Sequence, residues 1–211
     1  MKRFLSESTS SSGVKKQKKD DKFMNEIQKS REKTAASIRE FKFNKKRINL
    51  LNKNEEVADD KSGIAYWMAR DQRVQDNWAL LFAQNLGLKN KFPLHVIFCL
   101  TDKFPGATLR TYKFMLDGLE EVAKDLKDLD ITFHLLRGKH EQEIPKFVKD
   151  FNIGCLVCDF SPLRIHRQWV EGIKEKLPSN VPFVQIDAHN IVPLWITSNK
   201  QEYAARTIRN K

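Results

Sequence analysis

After Gly63 the chain alternates short, nearly continuous apolar runs with longer amphipathic stretches, and this alternation most limits the folds open to it. The runs are Ile64–Met68, Leu94–Leu100, Ile131–Leu136, Ile153–Phe160 and Pro182–Asp187. A strand covered on both faces reads as continuous apolarity, whereas a half-solvated strand alternates. Between the runs lie helical patterns. Leu109, Tyr112, Met115, Leu116, Leu119, Val122, Ala123 and Leu126 form one apolar stripe within 108–126. Ile165, Trp169, Val170, Ile173 and Leu177 form another, and Ile144, Phe147, Val148 and Phe151 a shorter one. Strands that alternate with helices imply crossover connections and a parallel sheet. The expected class is α/β, a doubly wound, Rossmann-like five-stranded parallel sheet.

The region before Gly63 has a different texture. Residues 1–22 are rich in Ser and Lys, cannot bury enough apolar surface to order themselves, and are expected to be a disordered basic tail. Lys15, Lys16, Lys18 and Lys19 read either as a nuclear-import signal or as a solvated tail. Residues 23–62 are expected to hold a helix, on Phe23, Ile27, Ile38, Phe41, Ile48 and Leu51, and then a linker. The net charge of +11 is concentrated in this upstream region. A basic balance suits an acidic partner such as nucleic acid, but here it belongs chiefly to the tail. No apolar run reaches the roughly 18 residues of a membrane span. Three cysteines, Cys99, Cys155 and Cys158, fit a reduced intracellular protein.

In an open parallel sheet, ligands bind beyond the carboxyl ends of the strands, where the strand order reverses. The loops to inspect are therefore 69–76, 101–107, 161–164 and 188–193. The first of these contains no glycine, so neither a dinucleotide fingerprint nor a Walker A loop can form there. Cys155 and Cys158 resemble a C-x-x-C motif, but residues three apart on a strand face opposite ways and cannot chelate one ion. Both are expected to be core thiols. The five histidines show no ligand spacing, and His95 and His134, within strands, read as hydrogen-bonded structural residues; only His189 ends a strand. Arg70, Asp71, Arg73 and Asp76 crowd one loop, either as a salt-bridge cluster with Asp76 capping the next helix or as a contact for a ligand or domain. The residues alone yield a fold and a pocket location, but no reaction.

Ordered blocks supply more. Trp67, the Asp71-Gln72-Arg73 triplet and Asp76-Asn77-Trp78-Ala79-Leu80 resemble the opening of the class II cyclobutane pyrimidine dimer photolyases of the photolyase and cryptochrome family. FCLTDKFPGA (98–107), FHLLRG (133–138), CDFSPLR (158–164), QIDAHNIVPLW (185–195) and KQEYAARTIR (200–209) are similar in the same order, and RINLLN (47–52) is similar to a helix preceding the domain. The resemblance implies that residues 63–195 are the α/β antenna domain and 196–211 the start of an interdomain connection. It implies a DNA repair lyase that splits pyrimidine dimers in UV-damaged DNA with reduced FAD, the flavin and most DNA contacts lying in a C-terminal helical domain absent from this chain. It further implies an antenna chromophore, a deazaflavin or a folate, in this domain.

The strand-end loops then nominate Met68, Ala69, Arg70, Asp159, Phe160, Ser161, Asp187 and His189 as its binding residues, with no catalytic or metal-ligating residue in the chain. Trp67 and Trp169 are expected to be core residues rather than members of an electron-transfer chain. The expected partners are UV-damaged DNA and the protein's own flavin domain, with no membrane, in a monomer of the nucleus or another intracellular compartment. This chain alone is expected to be inactive. Two other readings remain, a cryptochrome-like blue-light photoreceptor and a stand-alone α/β module that binds a small molecule.

Overall fold

All five apolar runs form strands in a computed structural model that describes residues 43–209. The strands are β2 (Gly63–Trp67), β3 (Leu94–Leu100), β4 (Thr132–Arg137), β5 (Ile153–Asp159) and β6 (Phe183–Ile186). They alternate with helices α1 (Trp78–Asn90), α2 (Leu109–Asp128), α3 (His140–Asp150) and α4 (Arg164–Lys176). The expected tail at residues 1–22, and the expected helix as far as residue 42, lie outside the described residues.

The end of that expected helix is corrected. Residues 45–47 form one 3-10 turn, and Ile48–Leu50 form a strand, β1. The sheet thus has six strands, ordered β1-β6-β5-β2-β3-β4, with β1 antiparallel to β6 and the other pairs parallel. The cause is a two-residue alternation within a stretch read as helical. Ile48 and Leu50 pack on the core, while Asn49 stays exposed and donates to Gln185 Oε1 at 3.4 Å. The open edge of β6 offers backbone partners that a helix would leave unpaired.

Chain order makes the sheet doubly wound. It runs outward from β2 through β3 to β4, then returns to β5 on the other side of β2. Right-handed crossovers accordingly place α1 and α2 on one face and α3 and α4 on the other. Ile64, Tyr66 and Met68 pack with Ala79, Leu80, Val122 and Leu126 on the first face. Ala65, Trp67, Ile97 and Cys99 pack with Ile144, Phe147, Val170 and Ile173 on the second. Cys155 and Cys158 join opposite faces as free, buried thiols, as the strand spacing requires.

Two local expectations change. Asn77, not Asp76, caps α1: its Oδ1 accepts from the amides of Ala79 and Leu80 at 3.0 and 3.1 Å. Asp76 instead takes a positive φ of 53°, which turns the loop into the helix. On α2, Leu109 is 87% exposed and lies outside the packed stripe. The first turn of that helix lies beside the end of β3, where the Tyr112 hydroxyl donates to the Thr101 carbonyl at 2.9 Å. No helix among the described residues is long and apolar enough to cross a membrane.

Candidate ligand cavity

The strand order reverses beside β2, and a cavity of about 300 Å³ opens at the carboxyl ends of β2 and β3 on the α3–α4 face. Trp67, Ala69, Arg70 and Gln72 come from β2 and its loop, and Phe98 to Thr101 from β3 and its end. Phe104 and Ala107 belong to the next loop, and Tyr112 and Met115 to the first turns of α2. His140 opens α3, and His166 and Trp169 sit early in α4. Among the described residues no carboxylate lines this cavity.

Its aromatic wall is ordered by stacking. Trp169 lies face to face with His140 at 3.8 Å and 11°, and His166 stacks on it at 4.9 Å and 27°. Phe104 reaches both His166 and Trp169 at 6.2 Å. Burial lowers the pKa of His140 to about 4 and also lowers that of His166, with Arg70 adding to the second effect. Both rings are therefore neutral at pH 7, which leaves Arg70 as the fixed positive charge of the wall.

Behind this wall a buried polar network sets the course of the loop after β2. The amides of Ala69, Arg70 and Asp71 donate to the Asp159 carboxylate at 3.3, 2.9 and 2.8 Å, and the Tyr66 hydroxyl donates to it at 3.1 Å. Asn77 Nδ2 donates to Tyr66 Oη and to the carbonyls of Asp71 and Arg73 at 3.0, 3.0 and 3.1 Å. Arg73 and His189 meet Asp71 Oδ1 at 3.0 and 3.2 Å. Burial, opposed by the donated amides of Asp71 and Arg70, leaves the Asp159 carboxyl raised to about 6. One consequence is chemical. A phosphate cradle needs free backbone amides, and here three successive amides are already engaged by a side chain. FAD, with its pyrophosphate, does not fit this loop.

Of the eight nominated residues, Ala69 and Arg70 stand on the cavity wall. Arg70 is steadied by donating Nη1 to the Phe160 carbonyl at 3.3 Å. Asp159 lies one layer behind, as the anchor of the loop that carries them. Met68 is fully buried in the opposite-face core, and Ser161 Oγ accepts from the Leu163 amide at 3.5 Å. Phe160 meets Trp195 edge-on at 5.7 Å. Asp187 is spent on its own loop: its carboxylate accepts from the amides of Asn190 and Leu194 at 3.0 and 2.8 Å. That loop is tied back by Arg47, which donates to the carbonyls of Asp187, Asn190 and Ile191 at 2.8, 2.7 and 2.9 Å and lies 4.5 Å over Trp78. His189 serves Asp71 rather than the cavity.

Sequence reasoning missed Phe104, Met115, His140, His166 and Trp169. Trp169 was expected in the core and is only partly buried, with its ring on the cavity wall. The available signal was positional. His140, His166 and Trp169 occupy the first turns of helices that follow strand ends on one face, where a side chain reaches the strand-end crevice.

The family model described as DNA photolyase matches residues 64–211. The deoxyribodipyrimidine photo-lyase of Potorous tridactylus is 56% identical over 185 residues, 88% of this chain and 35% of the relative. The Arabidopsis thaliana protein of the same name is 41% identical over 167 residues, 78% of this chain and 34% of the relative. This chain thus spans about a third of the length of these relatives. Among solved structures, a bacterial class III photolyase from Agrobacterium tumefaciens superposes with a TM-score of 0.51 at 16% identity, over 60% of this chain and 26% of that one, a likeness of fold.

Proposed function

Because this chain belongs to the DNA photolyase family, we propose that it is the light-gathering part of a light-driven lyase that splits cyclobutane pyrimidine dimers in UV-damaged DNA. Reduced FAD would be held by a helical domain outside these 211 residues and would supply the electron for ring splitting. Supporting this division, the loop after β2 spends its amides on Asp159, and its residues would not hold a pyrophosphate. The chain itself would bind and orient an antenna chromophore. Expressed alone, it would carry no flavin and repair no DNA. The lysine cluster at residues 15–19 would direct the protein to the nucleus.

One observation carries the antenna reading: the apolar, aromatic cavity at the strand ends. Its walls suit a flat heteroaromatic ring of the deazaflavin or folate type. Phe104, Met115 and Trp169 would flank the ring, while Arg70 and Gln72 would face its polar edge.

The test uses the intact protein. UV-irradiated oligonucleotide is illuminated at blue or near-ultraviolet wavelengths and the loss of cyclobutane dimers is measured. The protein is also loaded with a deazaflavin or a folate and its absorbance is read. Ala107→Trp, which fills the cavity, should abolish the antenna band while leaving flavin-driven repair at saturating light. Repair without light, or an antenna band that survives the filled cavity, would overturn the reading.

A further inference from the structure

His95 on β3 and His134 on β4 share the cavity's face of the sheet but do not line the cavity, and nothing in the proposed antenna function uses them. The register pairs Ile97 with His134, so the two imidazoles stand diagonally on the α3–α4 face. His95 Nδ1 and His134 Nε2 are 3.1 Å apart, and the rings are tilted by 44° at 5.2 Å.

We propose that His95 and His134 form a two-nitrogen chelate for a divalent transition-metal ion, with water completing the coordination. Two features support it. The separation suits a chelate, since two metal–nitrogen bonds of about 2.0–2.1 Å spanning it close an angle of about 98°. The rings are also seated in advance. Gly63 leaves the space that His95 occupies, because a Cβ there would come within 2.9 Å of its Cδ2. On the other side Phe147 and Phe151, themselves stacked at 4.3 Å, hold His134 edge-on at 4.8 and 5.3 Å.

The proton count balances without release of a proton. In the free protein one ring hydrogen lies between the two nitrogens. On binding it moves to the other nitrogen of its own ring, and the ion takes its place. Among the described residues no third His, Cys, Asp or Glu joins the pair. The site is therefore an open one, and neutral imidazoles favour copper, then nickel and zinc, over magnesium or calcium. A bound ion would tie β3 to the edge strand β4.

The experiment titrates Cu(II), Ni(II) and Zn(II) into the tag-free 211-residue chain, with His134→Phe and His95→Gln variants alongside. His134→Phe keeps aromatic packing against Phe147 and Phe151, and circular dichroism without metal checks its fold. The expected result is one Cu(II) per chain with a two-nitrogen electron paramagnetic resonance pattern. Affinity should fall at least about 10-fold in either variant, with His140, His166 and His189 left as the background. A wild type that binds no better than the variants, or a signal lacking two nitrogens, would overturn the proposal.

Discussion

Asp159→Asn probes the buried carboxylate that fixes the loop bearing Arg70. In the folded protein, burial raises this carboxyl to about 6, against about 3.9 in an unfolded chain. The difference of about two units corresponds to about 3 kcal/mol. At about pH 4 and below the acid is neutral in both states, and its contribution to stability is fully present. As the pH rises towards about 6 the unfolded chain gives up this proton first, so the native state loses up to about 3 kcal/mol and then levels off. Asparagine has no proton to lose, so the variant lacks that decline. It also has one acceptor oxygen fewer for the amides of Ala69, Arg70 and Asp71, a constant cost of about 1–3 kcal/mol. Urea unfolding from about pH 4 to pH 8 separates the two effects, because only the first depends on pH. Wild type should be the more stable by about 1–3 kcal/mol at about pH 4, and the difference should move by about 3 kcal/mol in the variant's favour by pH 7, so that it vanishes or reverses. Parallel profiles across that range would refute the argument. They would mean that the donated amides offset the cost of burying the charge.

Asn77→Ala should destabilise the chain by about 2–3 kcal/mol in urea melts, more than a lost helix cap alone, because it also strands the carbonyls of Asp71 and Arg73. Arg47→Met removes three donated hydrogen bonds to the 187–191 loop and the contact with Trp78. It should cost about 2–4 kcal/mol and speed amide exchange at Asn190 and Leu194. Trp67→Ala should cost about 3–5 kcal/mol, as for a fully buried indole. Trp169→Ala, at a half-buried position, should cost about 1 kcal/mol and show its main effect as lost antenna absorbance in the loaded intact protein.

The core strands were legible because burial on both faces leaves a mark that depends only on neighbours in the chain. LHVIFCL coincides with β3 to the residue, and the faces of Cys155 and Cys158 followed from strand geometry alone. β1 was not legible. Three residues that alternate apolar, polar, apolar also fit a helix pattern, and only the unpaired edge of β6 selects the strand. The caps show the same limit. Asp76 and Asn77 are both good capping residues by type, and the positive φ at Asp76 decides between them.

The candidate site divides along similar lines. Its place beyond the strand ends follows from chain order, since a sheet that runs out from β2 and returns to β5 must leave a crevice there. Ala69 and Arg70 could be named because they are adjacent in sequence to a strand end. Phe104, His140, His166 and Trp169 could not, because they reach the cavity from three separate segments that only the tertiary fold brings together. Asp159 and Asp187 were correctly placed beside strand ends, yet their carboxylates turn to backbone amides rather than to the cavity. By itself the sequence determined the alternation of strands and helices, and with it the end of the sheet where a ligand would lie. Tertiary structure alone decided which side chains face that ligand, because burial and hydrogen-bond partners are set across the fold by residues far apart in the chain.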